Sequence, residues 1–264
     1  MKLAFIGCGN MARAMMGGAI RGGFCGAEEI VASGPHEPAL ARARREFGIR
    51  TTRSNAEAAG GAETVVLSVK PQVCGTVIHE IAGAVREDAL AVSIAPGKTL
   101  AWLGKAFGRP VHLVRAMPNT PAMVGAGMTA VCPGAGVTPE EKDRALRLFG
   151  SFGRAELLPE RLMDAAVSVG GSSPALVFIL IEAMADAAVA DGMPRAQAYT
   201  FAAQAVLGSA KMVLETGRHP AELKDAVCSP AGTTIEAVRV LEKTGFRSSV
   251  FEALQACTRR AKSV

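Results

Sequence analysis

The sequence predicts an α/β half built on a doubly wound sheet, followed by a half that is entirely helical. Three observations carry that prediction. Short β-rich runs alternate with helical stretches as far as Leu158. Runs such as Val65-Val66-Leu67 are apolar without alternation, the pattern of strands covered on both faces. Beyond about Pro159 the strand signal stops and alanine-rich segments take over.

In chain order, strands are expected at Lys2–Ile6, Ile30–Ser33, Thr64–Val69, Leu90–Ile94 and Val111–Arg115. Helices are expected between them at Met11–Arg21, Pro38–Phe47, Ala56–Ala59, Gln72–Val85 and Leu100–Phe107. Such alternation implies a parallel sheet. A strand at Met128–Cys132, a helix at Pro139–Phe149 and a strand at Ala155–Leu158 extend it. The second half reads as helices over Arg161–Val169, Ser173–Asp191, Arg195–Thr216, Pro220–Val227, Thr233–Thr244 and Phe246–Lys262. Gly192-Met193-Pro194 and Gly217-Arg218-His219-Pro220 are helix stops and starts. Ala175–Ala188 is apolar around nearly its whole circumference, more than a hundred or so helical residues enclose easily, so a partner subunit is expected to complete this half.

Composition narrows the function. Of 264 residues, 49% are hydrophobic and 20% charged, a globular balance. The net charge of +5 is mild, and its densest cluster, Arg42, Arg44 and Arg45, reads as one solvated helix surface, so no nucleic-acid partner is expected. The most apolar stretch, Pro174–Ala190, carries Glu182 and Asp186, which would sit in hydrocarbon if it crossed a bilayer. It is therefore expected to be a buried core helix, with no membrane partner. The apolar run at the N-terminus stops at Gly7, too early for a signal sequence. Cys8, Cys25, Cys74, Cys132, Cys228 and Cys257 are scattered, as reduced cytoplasmic thiols are. Neither they nor His36, His79, His112 and His219 show metal-ligand spacing, so no metal is expected.

Gly7-Cys8-Gly9-Asn10-Met11-Ala12 follows the first expected strand and opens the first helix. This is the G-x-G-x-x-A arrangement of a Rossmann-type dinucleotide site in its required context. Gly7 permits the tight turn, Gly9 the approach of a pyrophosphate, and Ala12 close packing of helix on strand. The helix start offers unpaired N–H groups and a positive dipole end to phosphate. At the tip of the second strand, Ser33-Gly34-Pro35-His36 carries no carboxylate before Glu37. A carboxylate there would favour NAD by holding the ribose hydroxyl. Its lack leans towards NADPH, with Ser33 donating to a phosphate and Arg42 or His36 adding charge; NADH stays open. Ser68-Val69-Lys70-Pro71-Gln72 ends another strand, and the residue before proline is held extended, turning the chain over the sheet's carboxyl edge. Lys70 is either a cofactor contact or a strand-end surface lysine.

Three further segments go beyond a generic dinucleotide fold: Arg115–Pro121 with Gly125–Ala130, Val169–Ala175, and Cys228–Ile235. With Phe5-Ile6-Gly7 and Val69-Lys70-Pro71-Gln72, they closely resemble the pyrroline-5-carboxylate reductases over nearly the whole chain. The resemblance implies a Rossmann domain at 1–160 and an all-helical dimerisation and substrate domain at 161–264, interlocked with its mate in a homodimer that is often built into larger rings. It places Gly9, Asn10 and Met11 on the cofactor phosphates, Ser33 and Asn55 near the adenosine end, and Val69, Lys70, Pro71, Ala95 and Asn119 along the nicotinamide half. It also implies that Ser229, Gly232, Thr233 and Thr234 line an imino-acid pocket, with Thr234 on the ring nitrogen. Two departures stand out: Ala231 replaces a common glycine, and the second-strand tip lacks the Asn-Arg pair frequent in bacterial members.

Read on its own, Thr233 with Glu236 three residues later is a capping box, which leaves the Thr234 hydroxyl uncommitted. The helix start also offers amides to a substrate carboxylate. Reduction of a protonated cyclic imine asks mainly for orientation, so the lack of an acid–base dyad fits that chemistry. A 3-hydroxyacid dehydrogenase of similar plan would carry a catalytic lysine early in the second half, yet none occurs from Gly170 until Lys211. A non-catalytic NADP-binding regulator would have no use for both the Met117–Pro121 and Ser229–Thr234 loops.

Overall fold

The structure is a computed structural model describing Lys2–Lys262. Its strands are β1 (Leu3–Ile6), β2 (Ile30–Ser33), β3 (Arg50–Thr52), β4 (Thr64–Leu67), β5 (Leu90–Ser93), β6 (His112–Met117), β7 (Gly127–Pro133) and β8 (Gly153–Leu157). They form one sheet in the order β3-β2-β1-β4-β5-β6-β7-β8. The order reverses direction at β1, so a crevice opens between the carboxyl ends of β1 and β4, the place where open α/β sheets bind ligands. β1 is buried throughout; Leu3 and Phe5 join the core on one face while Ala4 and Ile6 join that on the other.

The sheet is mixed rather than wholly parallel. β7 runs antiparallel to β6, with Arg115 opposite Cys132. Only residues 118–126 join them, including a 3-10 turn at Thr120–Val124, and a parallel crossover needs about a dozen residues or more. β3 was not expected; it is a half-exposed edge strand of three residues beside β2, without an apolar run.

The helices of this half are α1 (Asn10–Arg21), α2 (Glu37–Phe47), α3 (Asn55–Gly60), α4 (Cys74–Ile81), α5 (Leu100–Phe107) and α6 (Pro139–Gly150). Local chemistry sets their ends. Thr99 caps α5 through the Trp102 amide, and Thr138 with Glu141 forms a capping box on α6. Gly48 and Gly108 stop α2 and α5 in the left-handed conformation. The helix expected over Gln72–Val85 is shorter, because Pro71 first sets a 3-10 turn over Pro71–Val73.

After β8 come α7 (Met163–Ala166), a π-helical turn (Val167–Ser172), α8 (Ser173–Ala190), α9 (Arg195–Thr216), α10 (Pro220–Val227), α11 (Thr233–Lys243) and α12 (Phe246–Ala261). The described residues form two compact units, one running past residue 160 to Ser172 and including residues 257–262, the other Ser173–Ala256. In the first unit the buried Arg115 pairs with Glu160 and Asp164, each at 3.4 Å. The end of α12 joins it where Ser168 meets Thr258 at 2.5 Å and the Cys257 thiol donates to the Ser172 hydroxyl at 3.1 Å.

In the second unit, α8 packs against α9 through Ala185, Ala198 and Ala202. The expectation of a buried α8 does not hold within one chain. Ala185 is its one buried residue among those described, while Phe178 and Ile179 are 62% and 65% exposed, because α9 covers one side of an all-round apolar rod. The stretch Glu160–Ala190 reaches a mean hydropathy of 1.7, long and apolar enough by composition to cross a membrane. Asp186 on α8 pairs with Arg195.

Candidate active site

The dinucleotide crevice is built where β1 hands over to α1. Gly7 has φ +103°, a conformation that favours glycine, and a Cβ on it would lie 2.6 Å from the Ser68 carbonyl oxygen. Ser68 fastens the two strand ends by donating its hydroxyl to the Gly7 carbonyl at 2.8 Å. Gly9 is the N-cap of α1 and has no side chain to bond the first-turn amides, and that turn carries no acidic residue. A Cβ on Gly9 would meet nothing within 4 Å, so open space lies beside the N-cap of α1, whose first-turn amides have no helical acceptor. Ala12 is buried against the sheet, as close packing requires.

A cleft of about 500 Å³ opens over this turn, lined by Gly7, Cys8, Gly9 and Asn10, by Gly34–His36 after β2, and by Ser68, Val69 and Lys70 after β4. Lys70 adopts φ −61°, ψ 144°, the extended geometry that Pro71 imposes. The uncapped amides, the glycine cradle and the basic lining fit a dinucleotide's phosphates. Cys8 donates to the Ala39 carbonyl, and burial, opposed by nearby Arg13, pushes its thiol pKa up, so it faces the cleft as a neutral group.

Some expected residues are placed differently. Ser33 is fully buried and donates its hydroxyl to Asn55 Oδ1 at 2.8 Å, while Asn55 Nδ2 reaches Glu80 at 2.6 Å. The Ser33 proton is thus committed to Asn55 rather than offered to a phosphate. The first carboxylate after β2 in the chain, Glu37, is engaged by Arg44 at 2.5 Å, and His36 lines the cleft. Met11 and Pro71 follow the lining residues Asn10 and Lys70 in the chain without lining the cleft themselves; Ala95 is buried beyond β5, its amide donating to the Ser93 hydroxyl at 3.3 Å. Asn119 was expected along the nicotinamide half. Both ends of its side-chain amide bond backbone within the protein, Nδ2 to the Gly170 carbonyl and Oδ1 to the Met128 amide. Cys8, Pro35 and Val73 also line the cleft unforeseen; only their adjacency to the glycine turn and strand ends signalled them.

The second loop of interest joins α10 to α11. Ala231 has φ +57°, the one left-handed non-glycine residue among those described, which explains why glycine suits this place. That conformation turns the chain so that Gly232, not Thr233, is the N-cap, with its amide donating to the Ser229 carbonyl at 3.1 Å. The expected capping box is therefore absent. Glu236 pairs with Arg239 at 2.9 Å, and no described residue bonds the hydroxyls of Ser229, Thr233 or Thr234. The loop is richer in open donors than expected: hydroxyls and first-turn amides at the positive end of an eleven-residue helix. His219 has the local role expected of it, accepting from the Ala221 amide at 3.2 Å to cap α10.

Comparison with known proteins decides the family. The pyrroline-5-carboxylate reductase of Escherichia coli (strain K12) is 52% identical over 263 residues, covering 100% of this chain and 98% of that protein. The chain belongs to the pyrroline-5-carboxylate reductase family. The reductase of Methanosarcina acetivorans is 42% identical, covering 100% of this chain and 97% of its own. A family model described as pyrroline-5-carboxylate reductase dimerisation matches residues 160–264, and one described as NADP oxidoreductase coenzyme F420-dependent matches residues 2–97. Among solved structures, the Coxiella burnetii pyrroline-5-carboxylate reductase superposes with a TM-score of 0.92 at 34% identity, over 99% of this chain and 97% of that one. The Plasmodium falciparum pyrroline carboxylate reductase, with NADP bound, gives 0.90 at 30% identity over 100% and 97%. The helical half of this reductase-family chain thus matches a dimerisation domain.

Proposed function

We propose that this chain is an NADPH-dependent oxidoreductase reducing Δ1-pyrroline-5-carboxylate to L-proline, the last step of proline biosynthesis, with NADH as the weaker cofactor. The observation that carries this reading is the full-length identity to named reductases, joined to an open glycine cradle at β1. Gly7, Gly9, Asn10 and Met11 hold the pyrophosphate; Val69, Lys70, Pro71 and Ala95 follow the chain of the cofactor towards its reacting end; Ser33 and Asn55 shape the adenosine side. When bound, the reduced nicotinamide supplies the hydride.

Ser229, Gly232 and Thr233 hold the substrate carboxylate with amides and hydroxyls at the start of α11. The Thr234 hydroxyl accepts from the protonated ring nitrogen and orients the C=N bond. C5 gains the hydride and the nitrogen keeps its proton, delivered from water, so no side-chain acid is needed. The working protein is a cytoplasmic homodimer, built further into a ring, with no membrane association; the helical domain is taken to begin at 161.

Steady-state cofactor oxidation with pyrroline-5-carboxylate and with 3-hydroxyisobutyrate, using each nicotinamide, tests the reading. Turnover of the imine with NADPH preferred supports it. Turnover of the hydroxyacid alone points to a dehydrogenase, and NADPH binding without turnover to a regulator.

A further inference from the structure

Asn119 closes the loop after β6 and is 8% exposed. Its Nδ2 donates to the Gly170 carbonyl at 2.9 Å and its Oδ1 accepts from the Met128 amide at 2.8 Å. The Gly170 carbonyl cannot take the usual α-helical donor, for a covalent reason. In an α-helix its partner would be the N–H of residue 174, which is proline: it has no N–H, and its ring crowds the carbonyl four residues back. The helix widens into a π turn over Val167–Ser172 just there. That turn lies against the end of β6, since a Cβ on Gly171 would come within 2.8 Å of Met117 Cε.

We propose that Asn119 is a positioning residue for imine reduction: its amide supplies the hydrogen bond that Pro174 withholds and so fixes the π turn against Met117 and Met128 at the carboxyl edge of the sheet. The role rests on the reductase reading above. It differs from a cofactor contact, because the amide is consumed by backbone. It differs from a plain structural bond, because what it fixes is the strand end on the nicotinamide side of the crevice.

The test uses Asn119→Asp in the full-length enzyme, which keeps an acceptor for Met128 but sets a carboxylate oxygen against the Gly170 carbonyl. The Tm of the cofactor-free protein is expected to fall. The NADPH Kd, read by fluorescence titration, is expected to stay within about twofold while kcat for the imine drops about tenfold or more. A second measurement compares the Tm loss from Asn119→Ala in the native and Pro174→Ala backgrounds; the loss should shrink when residue 174 regains its N–H. An NADPH Kd that weakens in step with kcat/KM would make Asn119 a cofactor contact and overturn the proposal. So would a lowered Tm with unchanged kcat, or equal Tm losses in both backgrounds. An unsubstituted enzyme that does not turn the imine over would overturn the reductase reading and this role with it; one that does, beside an equally active Asn119→Asp, overturns this role alone.

Discussion

Gly7 and Ser68 meet where β1 and β4 end side by side: the Ser68 hydroxyl donates to the Gly7 carbonyl at 2.8 Å, and a Cβ on Gly7 would lie 2.6 Å from the Ser68 carbonyl oxygen. Gly9, two residues on, has open space where its side chain would be. The two glycines of one motif therefore do different work, one closing the turn and the other leaving room for phosphate.

Gly7→Ala is expected to destabilise the fold by about 1–3 kcal/mol, through a left-handed alanine pressed on backbone. Gly9→Ala should leave Tm nearly unchanged and weaken NADPH binding instead. Thermal melts and cofactor titration of the two variants check this; the same response from both would contradict the division of roles.

Ala231 sits at φ +57° in the turn before α11. Ala231→Gly relieves left-handed strain but adds freedom to the unfolded chain, for a net gain of about 0.5–1 kcal/mol. Denaturant unfolding reads that gain. A loss of stability would mean that the turn is held in this conformation at no cost.

Thr234 has no hydrogen-bond partner for its hydroxyl among the described residues, and Glu236 is engaged with Arg239 rather than with a cap. Thr234→Ala is therefore expected to leave Tm unchanged while kcat/KM falls by about 1–3 kcal/mol in transition-state terms. Unchanged kinetics would remove Thr234 from the mechanism.

Cys25 is buried, and burial, helped by Glu29 and Glu28 and opposed by Lys2, lifts its thiol pKa to about 11 from 9.0. Below pH 9 neither folded nor unfolded chain ionises there. Between pH 9 and about 11 the unfolded chain releases the proton while the fold retains it, so stability falls as pH rises, by up to roughly 2–3 kcal/mol from this group. Cys25→Ala should flatten the slope of Tm against pH in that window.

The dinucleotide half was legible because its signals are local. Apolar runs with both faces covered gave β1, β4 and β5, and Gly7, Gly9 and Ala12 stood at fixed offsets after the first run. What was missed depends on backbone state or on distant partners. Arg50–Thr52 carries no apolar pattern because an edge strand buries little. The direction of β7 follows from a short connection, not from its own residues. Thr233 and Glu236 match a capping box in spacing, yet the left-handed Ala231 shifts the cap to Gly232. The commitments of Ser33 to Asn55 and of Asn119 to Gly170 join positions far apart in sequence, which no local pattern encodes. The burial expected of α8 is not met within the single chain, whose second unit leaves Phe178 and Ile179 exposed; an all-round apolar helix reads as buried whatever covers it.

The central claim is that a cyclic imine receives hydride at C5 from NADPH held over the Gly7–Asn10 turn. The most direct measurement is a single turnover with NADPH deuterated at the reactive C4 position, followed by mass spectrometry of the product. Proline carrying one deuterium at C5, in amount equal to the enzyme-bound cofactor consumed, is the predicted result. Proline without deuterium, or oxidised cofactor without proline, would contradict it.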